Sequence, residues 1–154
     1  MPIYEAHRTL PYTAPQLFEL AADVERYPEF LPWWIAARVR RREGDVYHTD
    51  QIIGFSVFRA RFSSMTTLRP PDRIEVTSTD GPFRHFRLVW SFDPEPKPLC
   101  RVVLAVDLAF RSRLIGMTFD AALATQLDRL IEAFERRAGY LYGRGRADGD
   151  RPLE

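Results

Sequence analysis

Lysine and asparagine are nearly missing from this chain. Lys97 is the sole lysine beside 21 arginines, and asparagine does not occur. A codon bias toward GC-rich triplets accounts for that pattern without invoking function. The functional alternative is a surface that grips phosphate or carboxylate, which the planar arginine fork does bidentately. The 21 acidic residues are dispersed among the arginines and the net charge is only +1, so no strong positive field is expected and nucleic acid is not the first partner to consider. A single cysteine, Cys100, excludes an internal disulfide and leaves nothing for a thiolate metal cage. No apolar run approaches the length of about 18 residues that a membrane-spanning helix needs. The opening residues MPIYEAHRTLPYTAP lack a basic stretch followed by an apolar one, so no secretory signal is read and the cytoplasm is the expected compartment. The eight glycines are scattered, and no Gly-rich phosphate loop can be assembled from them.

Catalytic chemistry is equally short of material. His7, His48 and His85 are expected on three different strands, and no two have metal-ligand spacing. Cys100 has no histidine near it in sequence and reads as an inert thiol. Asp107 is the one acid inside an apolar strand, but its period-two phase turns it outward beside Arg101. No catalytic residue and no metal site is assigned.

What is present is enough for one self-sufficient domain. A chain of 154 residues with 45% apolar content can bury a core without disulfide or metal. The twelve prolines are absent between positions 33 and 69 and between 99 and 151, and these gaps mark regular structure. Ile3–Leu10 reads as a first strand. Thr13 can cap a helix whose apolar face is Leu17, Phe18, Ala21 and Val24, and a second short helix falls around Val24–Leu31. Gly44-Asp45 is a hairpin turn that pairs Trp34–Glu43, with Ile35, Ala37 and Val39 on one face, with Val46–Phe55. A fourth strand carries Ala60, Phe62, Ser64, Thr66 and Leu68 on one face and stops at Pro70-Pro71. Arg73–Asp80 is a fifth. The turn Asp80-Gly81-Pro82 leads to a sixth in which Phe86, Leu88, Trp90 and Phe92 alternate with His85, Arg87, Val89 and Ser91. Val102, Leu104, Val106, Leu108 and Phe110 mark the inner face of a seventh. A helix from about Ser112 to Tyr142 then carries Phe119, Leu123, Leu127, Leu130, Ile131, Phe134, Ala138 and Leu141 on one stripe.

This order predicts an α+β fold: a curved seven-stranded antiparallel sheet wrapped around a long C-terminal helix, with two short helices after strand one. The domain spans residues 1–143, and 144–154 read as a disordered tail. If the sheet curls around the helix without collapsing onto it, an elongated, lipid-sized apolar cavity is left between them. Aromatics, 13% of the chain, gather where such a cavity would open. Tyr27-Pro28-Glu29-Phe30-Leu31-Pro32-Trp33-Trp34 is a proline-bounded aromatic segment, and Ile52 to Phe58 is a second apolar one. Arg38, Arg59 and Arg61 flank them, a combination suited to anionic head groups at a membrane surface.

The segment Asp23-Val24-Glu25-Arg26-Tyr27-Pro28-Glu29-Phe30-Leu31-Pro32-Trp33, the turn Asp80-Gly81-Pro82-Phe83 before Trp90-Ser91-Phe92, and Phe134-Glu135-Arg136-Arg137-Ala138 resemble the coenzyme Q-binding family of the START-like, or polyketide cyclase/dehydrase-like, superfamily. The resemblance implies a helix-grip fold and a hydrophobic tunnel for ubiquinone or a related polyprenyl lipid, held without catalysis in support of respiratory electron transport. It also extends to a branch described as a toxin that binds the large ribosomal subunit, for which Arg38, Arg40, Arg41 and Arg42 are the best local run. An aromatase/cyclase enzyme is the remaining reading. From strand phase, helix stripe and the family motif, the expected tunnel residues are Tyr27, Phe30, Leu31, Trp33, Phe62, Leu88, Trp90, Phe119, Leu123 and Leu127. The expected partners are a hydrophobic small molecule, the inner membrane by peripheral contact and, on the alternative, the large ribosomal subunit.

Overall fold

The computed structural model describes residues 3–55, 58–96 and 99–143, so the expected tail at 144–154 lies outside the described residues. The elements are β1 (Ile3–Leu10), α1 (Ala14–Ala22), a 3₁₀ turn (Val24–Arg26), α2 (Tyr27–Phe30), β2 (Trp34–Glu43), β3 (Val46–Phe55), β4 (Phe58–Arg69), β5 (Arg73–Ser78), β6 (Phe83–Pro94), β7 (Cys100–Phe110) and α3 (Arg113–Tyr142). All seven strands join one antiparallel sheet in the order β1-β7-β6-β5-β4-β3-β2. The curled sheet with its C-terminal helix matches the architecture predicted from the sequence.

Local chemistry explains the boundaries. Thr13 and Gln16 form a capping box at the start of α1, with Pro15 in the first turn, where its missing N–H costs nothing. The last carbonyls of α1 are satisfied from elsewhere in the fold: the Tyr27 hydroxyl donates to Ala21 O at 2.5 Å and the Tyr47 hydroxyl to Ala22 O at 2.7 Å. Ser112 caps α3, and Gly143 follows its end with φ +87°. Gly81, between β5 and β6, has φ +62°, and a Cβ there would sit 2.4 Å from Arg61 O. Only glycine fits that turn.

Besides a register break between Val39 and Arg41, which brings Arg40 and Arg41 to the same outer face, two bulges shift side chains that strict alternation misplaces. A register break between Trp34 and Ala36 turns Trp34 inward and leaves Ile35 42% exposed, so Ile35 does not share the apolar face of Ala37 and Val39. A second break between Phe83 and His85 puts both Phe83 and Phe86 on the inner face, and β6 begins earlier than the sequence suggested.

The core is not uniform. Towards the C-terminal half of α3, Leu127, Leu130, Ile131, Phe134 and Ala138 are buried with Leu10, Leu17, Val102 and Leu104 in one apolar cluster. Trp90, Phe92 and Phe134 stack there, with the Trp90 and Phe134 rings 4.6 Å apart. Arg8 on β1 bridges to Glu135 at 2.9 Å, and Arg137 reaches Glu29 of α2 at 2.8 Å. Towards the N-terminal half of α3 the packing is aromatic and incomplete, and the cavity lies there.

Candidate functional site

The outer part of the cavity is a narrow, partly enclosed slot with a volume of about 40 Å³, much smaller than the lipid-sized cavity expected from the sequence. Its walls come from the end of the aromatic loop, β3, β4, β6, β7 and α3: Trp33, Trp34, Ile53, Phe62, Phe83, Phe86, Leu88, Val106, Leu108, Phe110, Phe119, Leu127 and Leu130, with the backbone of Gly54. Among the described residues, no charged side chain lines it. A chain of ring contacts crosses the floor from sheet to helix: Phe62 to Phe83 at 5.2 Å, Phe83 to Phe110 at 5.3 Å, and Phe110 to Phe119 at 5.1 Å. The first of these contacts is edge to face and the other two are tilted, and such flat, stiff rings leave gaps that branched aliphatic side chains would fill.

Trp33 and Trp34 form one wall, stacked with their rings 6.5 Å apart. Trp33 adopts φ +33°, a region that a bulky residue enters only when its surroundings enforce it. The enforcing contacts are on either side: Gly54 N donates to Trp33 O at 2.8 Å, and the Trp33 indole N–H donates to Gln126 Oε1 of α3 at 3.2 Å. The aromatic loop is thereby tied to both the β3–β4 hairpin and the long helix.

A second, inner chamber of about 20 Å³, which must widen to hold anything larger than a water molecule, lies under the sheet and shares Trp34, Phe62, Phe86 and Leu88 with the slot. It adds Val24, Tyr27, Tyr47, Gln51, Thr66, Ile74 and Val76. Gln51 belongs to a buried polar cluster. Its amide nitrogen donates to Thr49 Oγ1 at 3.1 Å and Ser64 Oγ at 2.7 Å, and its Oε1 accepts from the Trp34 indole at 2.6 Å. The Thr49 and Ser64 hydroxyls are themselves 2.6 Å apart. Burial raises the Tyr47 phenol to about 12 and Tyr27 well above its ordinary value, so both stay protonated at neutral pH.

The sequence-predicted residues divide among these places. Trp33, Phe62, Leu88, Phe119 and Leu127 line the slot, and Tyr27 lines the inner chamber. Phe30 and Leu31 line an outer groove with Arg129, Glu132 and Arg136 instead. Trp90 faces inward as its phase demands and packs with Phe92 and Phe134 under α3, its indole beside Tyr27 of the inner chamber. The Leu123 side chain lies outside the described residues. The sequence reading missed Trp34, Phe83, Phe86 and the polar cluster. The phase Tyr47-x-Thr49-x-Gln51-x-Ile53 was the available signal for the last.

The outer face of the sheet carries one pairing that sequence spacing conceals: His85 Nε2 lies 2.9 Å from Asp107 Oδ1, both half-exposed. Asp107 is turned outward as its phase predicted, and the sheet separates this pair from the cavity. Among the described residues, no group of three or more His, Cys, Asp or Glu could hold a metal ion. Cys100 is fully buried, and burial pushes its thiol up to about 11, which keeps it protonated and unreactive.

A curled sheet gripping a long helix around an apolar cavity defines the helix-grip architecture. The chain belongs to the polyketide cyclase / dehydrase and lipid transport family, whose pattern it matches over residues 10–135. It is 31% identical over 134 residues to the ribosome association toxin RatA of Pseudomonas aeruginosa, covering 87% of this chain and 93% of that one. It is 27% identical to the mitochondrial coenzyme Q-binding protein COQ10 homolog B of Xenopus laevis, covering 92% of this chain and 59% of the relative. A START superfamily protein from Mycobacterium smegmatis has the same fold at 16% identity, with a TM-score of 0.79 over 90% of this chain and 98% of the other. The resemblance read from the sequence is thus shown at the level of the family.

Proposed function

We propose that the chain binds ubiquinone or a related polyprenyl lipid in this cavity, without catalysis, and supports respiratory electron transport as a carrier or chaperone of that lipid. The observation that carries this reading is the slot itself, an elongated aromatic and aliphatic channel with no charged wall among the described residues. A prenyl tail contributes about 0.8 kcal/mol for each buried methylene-sized unit, so shape and apolar lining can supply most of the affinity. Because the slot is narrow, lipid entry requires its aromatic walls to part. Leu114 and Met117, 74% and 66% exposed on the first turns of α3, stand beside Arg113 near the Phe110 and Phe119 end of the slot. They suit a protein that meets the inner membrane from the cytoplasmic side, where the lipid resides. Purification from the native host followed by solvent extraction and mass spectrometry is expected to recover a quinone or polyprenyl lipid. Failure to recover one, together with no uptake on reconstitution, would overturn the reading.

A second reading is favoured by the toxin relative and by the placement of arginines. Arg38, Arg40 and Arg41 on β2 and Arg59 and Arg61 on β4 all face the outer side of the sheet, opposed there by Asp50 and Glu43. Such a face can neutralise RNA phosphates, so the chain would associate with the large ribosomal subunit. Overexpression that shifts ribosome profiles toward free subunits supports this reading, and unchanged profiles reject it.

A further inference from the structure

We infer that the cavity takes its lipid head first, lodging an uncharged, hydrogen-bonding head group in the inner chamber at Gln51 while the hydrocarbon tail runs outward along the aromatic slot. This deepens the lipid-binding reading above and depends on it.

The argument begins with where polar capacity exists. In the outer slot the polar side-chain atoms are the two indole N–H groups, and both are committed, Trp33 to Gln126 and Trp34 to Gln51. A carbonyl or hydroxyl left in the slot would lose its water and gain no partner, a penalty of roughly 1–3 kcal/mol in protein settings. The inner chamber differs: Gln51, Tyr47, Thr66 and Tyr27 bring an amide and three hydroxyls to its wall. Head and tail therefore have distinct favourable positions, and these fix the orientation.

The capacity left at Gln51 narrows the chemistry. Both amide hydrogens are used, on Thr49 and Ser64, whereas Oε1 accepts only the Trp34 indole and keeps a lone pair. Tyr27 and Tyr47 each donate their single hydrogen to a carbonyl of α1, and their oxygens face the Trp90 indole and the Thr66 hydroxyl respectively. The Thr66 hydroxyl can turn from Tyr47 to donate to or accept from a head group. A ring hydroxyl or carbonyl can be satisfied here. A carboxylate or phosphate cannot, because among the described residues neither chamber has a cationic side chain on its wall and burying an unpaired charge is far costlier than burying a dipole. Phe62 and Phe86, shared by the two chambers, are the rings that must turn to let a head group pass.

The test uses three probes matched in tail and different in head: decylubiquinone, decylbenzene and undecanoate, each titrated calorimetrically into the full chain at pH 8. The wild-type protein is expected to bind decylubiquinone most tightly and undecanoate most weakly. Gln51→Leu is expected to weaken decylubiquinone about tenfold while changing decylbenzene less than about twofold, the contrast that one lost buried hydrogen bond predicts. Thr66→Val, which keeps the side-chain volume, is expected to weaken decylubiquinone a few-fold in the same selective way, and it carries the test should Gln51→Leu fail to fold. Two results would overturn the inference: undecanoate binding as tightly as decylubiquinone, or substitutions that leave the two neutral probes equally affected. If none of the three binds, the lipid-binding reading itself falls, an outcome distinct from loss of head selectivity.

Discussion

The two halves of the space beneath the sheet are built from similar material and differ in how it fits. Under the C-terminal half of α3, Ile131, Phe134 and Ala138 are buried in one cluster with Leu10, Val102, Leu104 and the Trp90–Phe92 stack, and all are nearly inaccessible to solvent. Under the N-terminal half, Phe62, Phe83, Phe86, Phe110 and Phe119 touch one another in a chain and leave the slot unfilled. Burying apolar area is favourable at both ends. Only the first converts it into close packing, and the second keeps surface that a ligand can cover. Apolar composition alone therefore does not distinguish a core from a container; the shape of the side chains and the residues they face do.

The sharpest way to separate the two halves is truncation. Phe134→Ala removes a ring from the filled half and is expected to cost about 3–5 kcal/mol in denaturant unfolding. Phe86→Ala, in the half-buried wall of the slot, is expected to cost about 1–2 kcal/mol, because less area is lost and the wall already borders a void. Equal losses would mean that the two regions are packed alike.

Overfilling gives the converse contrast on a single strand. Val102 and Val106 both point inward from β7, the first in the filled half and the second into the slot. Val102→Phe is expected to destabilise by about 1–3 kcal/mol through overpacking. Val106→Phe should cost less than Val102→Phe, since the slot takes up part of the added volume, and should abolish uptake of decylubiquinone. Thermal unfolding and calorimetry of the two variants side by side decide the matter.

Smaller effects mark the rim. The Arg8–Glu135 pair fastens β1 to α3 beside the filled half, but both side chains are about a third or more exposed. A double-mutant cycle should return a coupling of about 0.2–1 kcal/mol that shrinks as salt is added. Cys100 should add no pH dependence to stability near neutral pH, although Cys100→Ala should cost about 1 kcal/mol there by truncating a fully buried side chain. Its thiol is raised from an ordinary 9.0 to about 11, so the folded state favours the neutral form. That contribution is complete below pH 9 and is lost as the pH rises from 9 towards 11. Cys100→Ala should flatten stability across this window, and native protein should resist alkylation at pH 8.

Much of this architecture was readable before any coordinates. The proline gaps, the Gly44-Asp45 and Asp80-Gly81 turns and the period-two and 3.6-residue patterns carry the element order, because each is a local constraint on backbone and burial. Aromatic placement was less legible. Alternation put Ile35 inside and overlooked Phe83, since a bulge shifts phase without leaving a clear mark in sequence. For Trp90, strand phase gives the inner face but not the position along the helix that covers it.

The sequence by itself determined an antiparallel sheet with an apolar inner face, a long striped helix to cover it, and a chain with little material for metal or covalent chemistry. Those properties follow from residue type and spacing. Only the tertiary structure decided that a narrow slot stays open between sheet and helix, that Gln51 and its buried partners stand beside it, and that His85 and Asp107 meet on the far side of the sheet. Those depend on which side chains of distant segments face each other, and no local pattern encodes that.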